Sequence, residues 1–197
     1  DGRARPEVGQ LLDAGVAVAG VDLLFQGEFL ADGTPITETR KVKNPREAAA
    51  YTFGYNHTLF AQRVHDVLSA IAGLKQADAR LTEVWLVALD GAGPWGAVAL
   101  SQARGAVSKA ALDTAAFRFG KVLDIRSPDF LPGGAAYDDL PGALALAAPC
   151  PLYLAGEGPE GPALTRAAYA AAGAPAALSV ASGATAPRAA VAWLLGR

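Results

Sequence analysis

Two kinds of chemistry could share one short run of this chain. Gly91, Gly93 and Gly96 spell G-x-G-x-x-G directly after the apolar run 84–89 and at the start of a helical stretch. Glycines so placed let the bare N–H groups of a helix N-terminus approach a pyrophosphate. Asp113, twenty residues beyond Gly93, has the spacing of a carboxylate that binds a ribose. The same run also reads as a nucleophile elbow, with G-x-S-x-G laid over Ala88-Leu89-Asp90-Gly91-Ala92. Its tip is then Asp90 instead of serine. A carboxylate there can act as a covalent nucleophile, or it can cap the helix by accepting its first N–H groups. Three features weigh against the dinucleotide. Pro94 lacks a donor, Trp95 puts a ring where phosphate would sit, and about 83 residues precede a motif that ordinarily opens its fold.

The remaining reactive groups are few. His57 and His65 are the only histidines, eight residues apart and ahead of the elbow. They are expected to face solvent or to pack, not to act as bases. Asp124, Asp129, Asp138 and Asp139 could line a pocket or offer oxygens to a hard cation. Without EF-hand spacing, solvated loop charges are the expectation. Asp22 is expected to bond backbone within its own turn. Phe117, Phe119, Phe130 and Tyr137 form either a substrate wall or core. Trp95 and Trp193 are expected as core anchors, and Tyr51, Tyr55 and Asn56 as packing below the elbow. Cys150 is the lone cysteine, so no intrachain disulfide or thiolate cluster can form. With no H-E-x-x-H or C-x-x-C pattern either, neither metal nor cofactor is expected.

Alternating β-rich and helical runs must position these groups. Strands are expected over 16–24, 84–90, 106–114, 151–158 and 176–182. Helices are expected over 5–15, 57–74, 93–100, 143–148, 162–173 and 186–197. The helix at 57–74 carries an apolar stripe at 59, 60, 64, 67, 68 and 71. Segments 25–45 and 117–142 are expected as excursions. Such alternation implies an α/β protein, a mostly parallel sheet flanked by helices on both faces.

At 197 residues the expectation is one domain. A net charge of −2 gives no reason to expect nucleic acid or an anionic membrane as partner. No run of 18 apolar residues is present, so no spanning segment is expected. The chain begins with Asp1 and holds no methionine, as a processed or trimmed piece of a longer product would.

The stretches "GVDLLFQGEF", "YTFGYNHTLFAQRVHDVL", "VWLVALDGAGPWGAVAL" and "FLPGGAAYDDLPGALALAAPCPLYLAGE", with the final "VAWLL", resemble the α/β-hydrolase superfamily. The closest branch is the bacterial acetyl-xylan-esterase-like and dienelactone-hydrolase-like one. The resemblance covers nearly the whole chain in order. It implies that 16–24 is the fourth strand of that fold and that 84–90 is the fifth, with its elbow. The third strand and its half of the oxyanion hole would then be absent, and the domain incomplete at its N-terminus. An upstream segment of the same protein or a partner chain would complete the sheet. The family acid would fall near Glu157, Pro159 and Glu160, and the family histidine near Thr185 and Arg188.

The chain thus departs from the Ser-His-Asp relay at its serine and histidine positions. The leading expectation is a hydrolase-family domain with a degenerate triad, serving a structural or binding role in a larger protein. One alternative is an atypical carboxylic-ester hydrolase acting on a carbohydrate ester, with Asp90 as nucleophile or with catalytic residues supplied by the missing upstream segment. The other is a dinucleotide-binding domain using Gly91, Gly93 and Gly96. The resemblance suggests a bacterial setting and is compatible with export.

Overall fold

The computed structural model describes residues 4–40, 42–43, 48–183 and 187–197. Its centre is a four-stranded parallel sheet in the order β1-β2-β3-β4, formed by Trp85–Ala88, Lys109–Asp113, Leu152–Ala155 and Leu178–Val180. Helices α1 (Pro6–Asp13), α2 (Ala49–Phe53) and α3 (Leu59–Ala77) precede it. Helices α4 (Gly93–Gln102), α5 (Asp139–Leu146), α6 (Ala163–Ala171) and α7 (Pro187–Leu194) connect or follow the strands. The fold class is therefore α/β.

Strand alternation sorts the core into two layers. On β2, Ala110 and Leu112 join the large cluster that holds Phe60, Leu100, Leu144 and Leu154. Ala111, between them, faces the opposite way and meets Ala190 and Leu194 of α7. Helices α3, α4, α5 and α6 pack side by side over the first face, while α7, backed by α1, covers the second. No helix among the described residues is long and apolar enough to cross a membrane.

Helix α4 is the keystone of the larger layer. Most of its side chains are buried, which suits a helix with neighbours on several sides. Small residues let it approach the sheet: a Cβ on Gly96 would stand 2.5 Å from Ala88 Cβ and 3.0 Å from Leu112 Cδ2. Helix α3 buries Leu59, Phe60, Val64 and Ile71 along the expected stripe, and Thr58 caps it by accepting from Ala61 N at 3.2 Å. On α6, Tyr169 is fully buried and its hydroxyl donates to the Cys150 carbonyl at 2.6 Å. Burial pushes its pKa far above the ordinary tyrosine range. Tyr169→Phe is expected to cost about 1–2 kcal/mol, since it strips a buried carbonyl of its donor. Urea unfolding would measure this, and an unchanged midpoint would mean that the bond contributes nothing net.

Three sequence expectations need correction. Segment 16–24 forms no strand: nothing hydrogen-bonds to it as a ladder, and Val18 and Val21 are 43 % and 51 % exposed. A β-rich run becomes a strand only where a neighbouring edge accepts it. Among the described residues, strand β1 accordingly ends the sheet, paired only with β2. Helix α5 starts at Asp139, ahead of the expected 143, because Pro141 falls in the first turn, where its missing N–H costs nothing. Tyr51 and Tyr55 are exposed and do not pack beneath the elbow, while Asn56 donates to the Thr52 carbonyl at 2.7 Å.

Candidate functional site

The turn between β1 and α4 has the backbone of an elbow. Asp90 adopts φ 51° and Gly91 φ 92°, so the chain reverses within two left-handed residues before α4 begins. Aspartate tolerates that region better than most side chains, and glycine adopts it freely. Ala92 N bonds the Leu89 carbonyl at 3.0 Å and tightens the turn. Asp90 is exposed, and its carboxylate has no partner among the described residues. The helix N-cap is Ala92, with no side-chain cap, so Asp90 does not cap α4.

The three glycines divide between two tasks. A Cβ on Gly93 would press on the Asp113 carbonyl oxygen closer than any non-bonded heavy atoms can stand, and one on Gly96 would strike Ala88. Both glycines therefore serve close packing of α4 against the strands. Only Gly91 looks onto open space. Asp113 is engaged at the strand end, where its Oδ1 accepts from Ala115 N at 2.9 Å.

Beside the elbow lies a cavity of about 440 Å³. Gly91 and Trp95 line it from the elbow, and Arg63 from α3. Segment 25–36 supplies Phe25, Leu30, Pro35 and Ile36, and segment 117–138 supplies Pro128 and Asp129. The two excursions are tied together. Thr39 N and Oγ1 both donate to the Arg126 carbonyl, at 2.7 and 3.1 Å, and Arg126 pairs with Glu38. The floor is set by Arg63, only 5 % exposed. Its Nε and Nη2 donate to the carbonyls of Leu24 and Phe25, at 3.1 and 3.3 Å, and its guanidinium lies 4.6 Å over the Trp95 ring. Burial lowers the Arg63 pKa, while Asp129 and Asp66 act to raise it. Trp95 Nε1 is buried with no acceptor among the described residues. The turn that carries Phe25 into the cavity is built as expected: Asp22 Oδ2 accepts from Glu28 N at 3.0 Å, and only glycine fits at 27 beside that carboxylate.

No relay assembles at the elbow. Neither histidine lines this cavity. Exposed His57 faces a neighbouring cavity of about 340 Å³, and exposed His65 meets Ser69 Oγ at 3.4 Å. Glu157, at the position the family acid would take, is committed elsewhere. Its side chain is 1 % exposed and receives Arg118 Nη1 at 2.9 Å, Nη2 at 2.5 Å and the Thr114 hydroxyl at 2.5 Å. That pairing raises the Arg118 pKa. Glu160 is 81 % exposed, and Arg188 pairs with Glu7 at 3.4 Å. Thr185 lies outside the described residues.

The other candidates separate as well. Asp124 accepts from Arg126 N at 2.8 Å, and Asp139 accepts from Phe119 N and Gly120 N at 2.8 Å each. No group of three or more possible metal ligands occurs among the described residues. Phe117 and Phe119 are core, edge-on at 5.0 Å, and Phe130 meets Phe53 at 5.5 Å. Tyr137 is 93 % exposed and walls nothing. Trp193 anchors the α7 layer through Ser179 Oγ at 3.0 Å. Sequence reasoning missed Arg63: a charged residue inside an apolar stripe was its only signal. Compared with family models, curated proteins and solved structures, the chain matches none.

Proposed function

We propose that this chain is an α/β-hydrolase-like domain that binds a small ligand beside its elbow without hydrolysing it. One observation carries the reading. The elbow exposes a carboxylate with no partner among the described residues and no histidine in the cavity beside it, while Glu157 is locked into an ion pair with Arg118. General-base activation requires a titratable partner within hydrogen-bond reach, oriented by a third group. The cavity's mixture of apolar walls and a few fixed polar groups is that of a ligand site. The open edge of β1 supports a place in a larger assembly, with an upstream segment or a partner chain completing the sheet.

A second reading has its own support. A partnerless carboxylate held at φ 51° on an exposed turn is where a covalent nucleophile would stand. An ester hydrolase using Asp90 would then be at work. The dinucleotide alternative is the weakest, because Gly93 and Gly96 are taken up by packing. Hydrolysis of p-nitrophenyl acetate separates the first two. The binding reading expects the rate of buffer alone, for both the parent chain and Asp90→Ala. Turnover that disappears in Asp90→Ala would replace it with the nucleophile reading.

A further inference from the structure

We infer that the elbow cavity takes an α-amino acid with an apolar side chain, its carboxylate on Arg63 and its ammonium on Asp129. The inference rests on the binding reading above and names the ligand of that site.

Two opposite charges line this cavity with no hydrogen bond or close ion pair between them, although Asp129, together with Asp66, acts on Arg63 through space. Arg63 Nη1 has no partner among the described residues, since only Nε and Nη2 are used by backbone carbonyls. The Asp129 carboxylate likewise accepts no hydrogen bond and forms no ion pair among the described residues. Both are anchored against closing the gap. Arg63 is pinned by two carbonyls and stacked on Trp95, while Asp129 follows Pro128 in a turn where its N–H donates to Ser127 Oγ at 3.2 Å. Arg63, 5 % exposed, is largely withdrawn from water, where a charge without a close partner is costly. A ligand carrying an anion beside a cation satisfies both at once.

The alternatives each leave one group stranded. A simple carboxylate would pair with Arg63 and be repelled by Asp129. A simple amine would pair with Asp129 and lie against a guanidinium. A zwitterion adds no net charge to the two cavity-lining groups, Arg63 and Asp129. Apart from Gln26 and Gly27, the rest of the wall is Phe25, Leu30, Pro35, Ile36 and Pro128, which calls for an apolar side chain. The volume of about 440 Å³ accommodates one such molecule.

Isothermal titration calorimetry of the whole chain tests this with three probes: L-leucine, 4-methylpentanoate and 3-methylbutylamine. The last two each keep one charge and the same branched tail. Leucine is expected to bind saturably, and each analogue at least about tenfold more weakly. Asp129→Asn, on a partly exposed turn residue with no side-chain bond to lose, is expected to weaken leucine by at least about tenfold. It should leave 4-methylpentanoate unweakened. Absence of leucine binding, equal binding of either analogue, or an Asp129→Asn variant that binds leucine normally would each overturn the assignment. The ester assay is independent of this titration. A buffer-level ester rate with no leucine binding would sink the ligand alone, whereas Asp90-dependent turnover would sink the reading beneath it.

Discussion

Gly93→Ala is expected to destabilise the chain by about 3 kcal/mol or more, because the added methyl group meets main chain instead of a movable side chain. Gly93 opens α4 with no positive φ, so alanine suits the local backbone and even improves helix propensity. The loss is entirely tertiary. The new Cβ would press on the carbonyl oxygen of Asp113 at the end of β2, and α4 would have to lift off the sheet. For a chain of this size the thermal midpoint should fall by about 6–12 °C. Gly73→Ala provides the contrast. It lies within α3 with nothing within 4 Å of its missing Cβ, and should gain about 0.5–1 kcal/mol. Calorimetric melting of the two variants decides the matter. A Gly93→Ala chain melting with the parent would mean that α4 does not sit on β2 as described.

The second large effect concerns Glu157, the carboxylate that the α/β-hydrolase resemblance would place as the acid. Arg118→Ala should cost about 3–5 kcal/mol, because it leaves a buried charge unpaired. The Glu157 side chain, 1 % exposed, would keep only the Thr114 hydroxyl. Glu157→Ala should cost less, about 2 kcal/mol, since the stranded Arg118 is 27 % exposed and can turn to water. The double variant should then be more stable than Arg118→Ala alone, which a double-mutant cycle by chemical denaturation would reveal. Additive losses would mean that the two residues do not act as a pair. The pair also bears on function: a glutamate held by two guanidinium nitrogens and a hydroxyl is unsuited to orienting a base.

Much of the architecture is written in local pattern. The apolar run and glycines of 84–100 specify a strand, a tight turn and a helix, and these are β1, the elbow and α4. The stripe from Leu59 to Ile71 specifies α3, and the Asp22 turn closes on its own Glu28. Each depends on residues a few positions apart, where spacing alone decides which faces can be buried. By itself the sequence also determined that the elbow tip carries aspartate and that both histidines precede it.

Other features were decided only by the assembled chain. Segment 16–24 has the composition of a strand, yet it forms none, because a ladder needs a second backbone that composition does not specify. Two segments remote in sequence, 25–40 and 117–138, meet through Thr39 and Arg126, and both contribute walls to a cavity that neither implies alone. Arg63 reads as a misplaced charge until Trp95 and two carbonyls surround it, and Glu157 reads as a catalytic acid until Arg118 claims it. The reason is common to all of them. Helix faces and turns are set by short-range sterics and periodicity, whereas a charge's partner and a strand's neighbour are chosen by whichever distant segments folding brings alongside.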